Sequence, residues 1–236
     1  MINKTIYQVA INLNYSHPGV QDQIKKTLSL NPGWKYKIIT KEEQMDKFVN
    51  ENYPGDIADA YNKLNILVAK VDFWRYLNLY KDGGVYLDMD SSIDKPLDQL
   101  IRDEDDAIIT AEGNPEFYVQ WALIYGKEHP ILKRLIDLIV ENIKFNKYPN
   151  DIHKMTGPTV YSKAINEIHY ELFNEKLNHS EINRNTDITY SKNNIIYRIY
   201  GIDYSGYFGF KYPASRFLYN NTVHWSVEQK NKPLLK

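Results

Sequence analysis

The sequence predicts a single α/β domain in which a mostly parallel sheet is flanked by helices. Three observations carry this. Short β-branched apolar runs alternate with stretches of helical apolar spacing from the first residues onward, and such alternation implies parallel strands joined by crossover helices. Breakers stand between these runs at Asn31-Pro32-Gly33, Tyr53-Pro54-Gly55 and Asp82-Gly83-Gly84. At 236 residues, with 43% hydrophobic and 25% charged side chains, the chain can fill one sizeable core, whereas two full domains of ~100 to 200 residues each would be cramped.

Residues 5–12 are apolar and β-branched and predict a buried first strand, and residues 19–30 place Val20, Ile24, Thr27 and Leu28 at helical spacing. Residues 34–40 read as a second strand. Thr40 then stands as an N-cap with Glu43 three residues on, the pattern of a capping box. Two helical stretches follow between residues 53 and 84. The second carries Leu64, Leu67, Val68, Val71, Trp74 and Leu77 or Asn78 on a stripe that should face the sheet, which leaves Asp72, Arg75 and Tyr76 together on one outward side. Gly83-Gly84 supplies the positive-φ stop, and Val85-Tyr86-Leu87 starts a short strand that runs into Asp88-Met89-Asp90.

Further along, residues 106–111 and 117–125 read as strands, and His129-Pro130 opens a helix with Leu132, Leu135, Ile136, Ile139 and Ile143 on one face. Thr156-Gly157-Pro158 turns into a helix over 159–172. Residues 186–200 read as one or two short strands, and 205–225 are rich in Gly and aromatics. No repeats occur.

Composition excludes several classes. The net charge is -1 and no basic block exists, so neither nucleic acid nor an anionic membrane is selected as a partner. With no cysteines, disulfides and thiolate metal sites are excluded. The N-terminus lacks a signal-peptide apolar region and no run of about 18 apolar residues occurs, so the expectation is a soluble cytoplasmic protein. Oligomeric state is left open. The 20 tyrosines suit sugar stacking and half-buried strands equally.

Asp88 and Asp90 are two residues apart, so at the end of an extended segment their side chains project to one side and Met89 to the other. Two such carboxylates suit Mg2+ or Mn2+, hard cations that combine one or two protein carboxylates with substrate phosphate and water. Alone, such a pair is more often an acidic loop capping a strand. Its position after a buried strand of an α/β fold, where ligands gather, favours a site.

The run Ala69-Lys70-Val71-Asp72-Phe73-Trp74-Arg75-Tyr76, then Leu79-Tyr80, then Gly83-Gly84-Val85-Tyr86-Leu87-Asp88-Met89-Asp90 resembles the signature of the glycosyltransferases with a sugar-binding region containing a DXD motif. These are relatives of the fungal initiating α-1,6-mannosyltransferase and, more distantly, of the clostridial glucosylating toxins. The resemblance implies a GT-A-like (Rossmann-like) fold, with a donor-binding part over about 1–112 and an acceptor part over about 113–236. It also implies a nucleotide-sugar donor, a divalent metal, Mn2+ or Mg2+, and retention of anomeric configuration. By the same resemblance Asp90 would be the direct metal ligand, and Asp88 would contact donor and metal-bound water. Asp72 and Arg75, with Tyr76, would hold the donor sugar and diphosphate, and His224 would be a further metal contact. Gln8 is a weaker donor-site candidate. In this family a Ser-Trp pair often follows that histidine, whereas here Trp225 precedes Ser226.

The function expected is transfer of a hexose or N-acetylhexosamine from a nucleoside-diphosphate sugar, UDP-linked or GDP-mannose, to a hydroxyl of a glycan or other acceptor. With no carboxylate nucleophile identified, retention would follow a front-face route. Two alternatives stay open: a metal-dependent nucleotidyltransferase or phosphoesterase, which would also use paired aspartates, and a catalytically silent sugar-nucleotide-binding protein.

Overall fold

A computed structural model of the chain describes residues 1–114, 117–219 and 225–236. The N-terminal half runs β1 (Thr5–Val9), α1 (Pro18–Leu30), β2 (Lys35–Ile39), α2 (Glu42–Asn52), α3 (Asp56–Lys63), α4 (Leu67–Asp82), β3 (Gly84–Leu87), β4 (Ser91–Ile93) and β5 (Ala107–Ala111). β6 (Ala122–Tyr125), α5 (Pro130–Lys144), α6 (Ile152–Met155), α7 (Pro158–Phe173), β7 (Asp187–Lys192), β8 (Ile195–Ile202), β9 (Phe208–Phe210) and α8 (Trp225–Asn231) follow.

Among the described residues, a seven-stranded sheet has the order β2-β1-β3-β6-β5-β8-β7. β2, β1, β3, β5 and β8 point one way, and β6 and β7 run against them. The mostly parallel expectation therefore holds by strand direction, with the two reversed strands inserted as hairpin partners. A second sheet of two strands pairs β4 with β9. Strand alternation feeds two apolar layers: Tyr7 and Val9 of β1 and Tyr86 of β3 enter the core shared with α4, α5 and α7, while Ile6, Val85 and Leu87 enter the opposite one.

Local chemistry explains the boundaries. α1 has Pro18 in its first turn and is capped by His17, whose side chain accepts from the Gly19 amide at 3.2 Å. α5 repeats this with Pro130 and His129, whose Nδ1 accepts from the Ile131 amide at 3.3 Å. Burial pushes the His129 imidazole down to about 3, so it stays neutral and able to accept. The face predicted for α5 is buried throughout, and it packs on α3, α4 and α7. Between β7 and β8, Asn193 and Asn194 both have positive φ, 54° and 64°, as a two-residue hairpin turn requires. This resolves 186–200 into two strands.

Three expectations are corrected. The cap of α2 lies one residue later: the Gln44 side chain, not Glu43, accepts from the Thr40 and Lys41 amides, each at 3.0 Å, because the helix starts at Glu42. Leu28 of α1 is exposed. The largest correction concerns α4. Its stripe positions Leu67, Val68 and Val71 are only partly buried, while Asp72, Arg75 and Tyr76, expected to face outward, are 4%, 4% and 0% exposed. Apolar residues encircle the helix, and the side that looked polar is covered by the segment preceding β6 and by the turn between α6 and α7.

Candidate functional site

The site lies at the carboxyl end of β3, beside β1, where an α/β sheet gathers ligands. Gly83 ends α4 with φ 63°, and its amide donates to Leu79 O at 2.8 Å. Gly84 opens β3 at φ 121° so close to β1 that a Cβ would lie 2.6 Å from Thr5 O. Only glycine allows that approach. β3 then delivers Tyr86 and Asp88 to the α4 side, whereas Met89 turns the other way, into a cluster with Ala10, Val20 and Leu218. The opposed orientation expected for Met89 is observed.

Asp88 is held by its backbone. Its amide donates to Trp121 O at 2.8 Å, and its carbonyl accepts from Gln8 Nε2 at 3.2 Å and from the Ser91 amide at 3.0 Å. The other end of the Gln8 amide accepts from the Tyr36 hydroxyl at 2.6 Å, so buried Gln8 fixes the motif through its main chain. Asp88 Oδ1 accepts from the Tyr86 hydroxyl at 2.7 Å and lies 3.3 Å from Arg75 Nη1. Its side chain keeps 31% exposure, enough to meet a ligand.

Arg75 connects the two carboxylates of the signature. Nη2 lies 2.5 Å from Asp72 Oδ1, Nη1 donates to Gln120 O at 3.1 Å, and the guanidinium sits 4.6 Å from the Tyr86 ring centroid. Its buried Nε has no partner among the described residues. Asp72 Oδ2 accepts from the Thr156 hydroxyl at 3.0 Å. Tyr76 donates to Thr156 O at 3.2 Å and accepts from Gln120 Nε2. Asp72, Arg75, Tyr76 and Asp88 thus form one buried network, rather than the simple intrahelical ion pair that the Asp-x-x-Arg spacing alone permits.

Two carboxylates share one guanidinium here. Burial, with repulsion from Asp88, raises Asp72 to about 7 against the pull of Arg75 and the Thr156 and Gln120 hydrogen bonds. Asp88 is raised too, by burial and by Asp90, against Arg75 and Tyr86. Arg75 shifts upward: burial opposes its charge, but Asp88, Tyr86 and Asp72 outweigh it. A carboxylate whose folded pKa lies above its unfolded 3.8 binds its proton more tightly when folded. Its stabilising contribution is therefore full at low pH and lost as pH rises through about 7. Calorimetric Tm is expected to fall by on the order of 5 °C between about pH 5 and about pH 8, and Asp72→Asn should flatten that fall. An unchanged slope in the variant would exclude Asp72 as its source.

Asp90 is buried, 7% exposed. Its Oδ2 accepts from the Tyr219 hydroxyl at 3.0 Å, and its main-chain oxygen accepts from the Tyr212 amide at 3.2 Å. His224 lies outside the described residues. Among the described residues no three His, Cys, Asp or Glu side chains cluster as a metal site. The all-oxygen pair Asp88 and Asp90 instead fits a divalent ion completed by phosphate and water. Trp34 is buried in the core layer with Ile6, Val85 and Leu87 and donates Nε1 to Asp98 Oδ1 at 3.0 Å.

Sequence reasoning missed Tyr86, Gln120, Tyr212 and Tyr219. Tyr86 was recoverable, since it precedes Asp88 by two on one strand and must share its face. Gln120 lies in a run that read only as a strand, and Tyr212 and Tyr219 come from a segment with no local pattern.

A family model described as glycosyltransferase sugar-binding region containing DXD motif matches residues 18–107. The initiation-specific alpha-1,6-mannosyltransferase of Candida albicans is 25% identical over 190 residues, which cover 66% of this chain and 48% of that protein. Inositol phosphoceramide mannosyltransferase 1 of Schizosaccharomyces pombe is 30% identical over 132 residues, covering 55% of this chain and 40% of the relative. The chain thus spans about half, or less, of the length of these curated relatives. The solved structure titled PaToxG Glycosyltransferase superposes with a TM-score of 0.58 at 20% identity, over 73% of this chain and 72% of that one. That likeness establishes a common GT-A fold. The resemblance carried by the 69–90 run is borne out by the matches in sequence.

Proposed function

We propose that this chain, a relative of the DXD sugar-binding glycosyltransferases, moves a hexosyl group from a nucleoside-diphosphate sugar to a hydroxyl of a glycan or other acceptor, with retention of configuration. The observation that carries the proposal is the Asp72, Arg75 and Asp88 network directly behind Asp88-Met89-Asp90 at the end of β3. A buried guanidinium whose Nε has no partner among the described residues is the kind of group that a ligand oxygen satisfies.

In this reading Asp90 and Asp88 hold Mn2+ or Mg2+ together with the donor diphosphate. When bound, the ion neutralises negative charge collecting on the departing diphosphate. Arg75 adds a fixed positive charge beside the same oxygens, held by Asp72 and Gln120 so that it needs no reorganisation during reaction. Asp72 and Tyr76 are buried and act on the donor by fixing Arg75 and the Thr156 turn, and Gln8 acts by fixing Asp88. The bond from the anomeric carbon to the diphosphate oxygen breaks on the face where the acceptor oxygen bonds, and the acceptor proton passes to the departing diphosphate.

The names of the fungal relatives favour mannose as the sugar over the other hexoses, which makes GDP-mannose the first donor to test. Nucleoside-diphosphate release should be measured with Mn2+ against a panel of GDP- and UDP-sugars, with glycans or methyl glycosides as acceptors. Release confined to one donor, and stimulated by an acceptor, is expected. Cleavage of nucleotides irrespective of sugar would instead favour a phosphoesterase.

A further inference from the structure

Residues 212–219 bind the Asp88-Met89-Asp90 motif at both ends of their course. At the start, Tyr212 donates its hydroxyl to Met89 O at 3.0 Å and its amide to Asp90 O at 3.2 Å. The chain then coils through a 3-10 turn, Pro213–Tyr219, pressed on α1. Phe217 stacks on His17 at 4.2 Å, Leu218 O accepts from the Asn14 amide at 3.0 Å, and Leu218 is buried with Met89 and Val20. At the end, the Tyr219 hydroxyl donates to Asp90 Oδ2 at 3.0 Å. The strap is thereby fixed in register with the motif before its last residue reaches the carboxylate.

We propose that Tyr219 is a positioning residue of the metal site, its hydroxyl holding the Asp90 carboxylate in the orientation in which it binds a divalent ion. This rests on the reading of Asp88-Met89-Asp90 as the metal motif. Ligating carboxylates depend on such outer hydrogen bonds for their orientation. The Tyr219 hydroxyl on Oδ2 and the Ser91 hydroxyl, 3.5 Å from Oδ1, occupy two of roughly four lone-pair positions of the carboxylate, so the contacts leave Asp90 free to coordinate. Tyr219 is 46% exposed, and replacing it with Phe removes the hydroxyl that reaches Asp90 while keeping the ring.

The test is titration of the full chain with Mn2+ alone, read by calorimetry and by loss of the free-Mn2+ paramagnetic resonance signal. Tyr219→Phe should weaken Mn2+ binding by about 10- to 100-fold while its metal-free Tm stays within about 1 °C of wild type. A merely structural tyrosine would show the reverse, a lowered Tm with unchanged affinity, and that result overturns the proposal. So does tighter binding in Tyr219→Phe, which would make the hydroxyl a competitor of the metal. Asp90→Asn, run in parallel, separates the two readings. If it binds Mn2+ as wild type does, or if wild type binds none, the metal motif itself fails and Tyr219 with it.

Discussion

Asp90→Asn is expected to lower sugar transfer at saturating Mn2+ by about a thousandfold, the scale on which removing one preorganised electrostatic contact at a leaving group acts. Asparagine is the informative replacement because Asp90 is buried and bonded to Tyr219. The amide oxygen can still accept from the hydroxyl, whereas alanine would leave that donor facing a void. The variant loses a negative charge and little else, so its thermal midpoint should stay within a few degrees of wild type. Initial rates across a Mn2+ titration, with the productive donor from the nucleotide-sugar panel, provide the measurement. Turnover near wild type with an unaltered Mn2+ dependence would remove Asp90 from the metal site.

The contrast between Asp90 and Asp72 shows what a sequence of this kind reveals. Periodicity and breakers located the helices because each signal is local: Pro130 behind a capping His129, or Gly83 with positive φ behind Leu79. The alternation along β3 likewise fixed the opposite courses of Asp88 and Met89 just past its end. Burial of a polar helix face is not local. Asp72 and Arg75 look solvated on a helical projection, and only Gln120 and Thr156, 45 and 84 residues away along the chain from Arg75 and Asp72 respectively, enclose them. The strap over Asp90 was illegible for the same reason. Nothing in residues 205–225 announces that Tyr212 and Tyr219 return to a motif more than 120 residues earlier. The pairing of β4 with β9 also needed the tertiary structure, since three-residue strands carry no period of their own.

Arg75→Met should produce the largest loss of stability at the site. It strands two carboxylates, Asp72 beside it at 2.5 Å and Asp88 at 3.3 Å, and removing one partner of a buried ion pair costs about 3 to 5 kcal/mol. For a chain of this size that corresponds to a fall of roughly 10 °C in Tm. The loss should be smaller at about pH 5 than at about pH 8, since a stranded carboxylate can take up a proton and both are already raised. Stability alone does not separate a donor-binding arginine from a structural one, but the double variant Arg75→Met with Asp72→Asn does. Neutralising Asp72 removes one of the two uncompensated charges and should return part of the lost Tm, because charge balance is what failed. Transfer should not return with it, because neither substitution restores a positive charge beside the diphosphate. If rate recovers in step with Tm across wild type, single and double variants, Arg75 serves only to hold α4 against the β3 terminus. If Tm recovers and the rate stays low, the guanidinium acts on the donor.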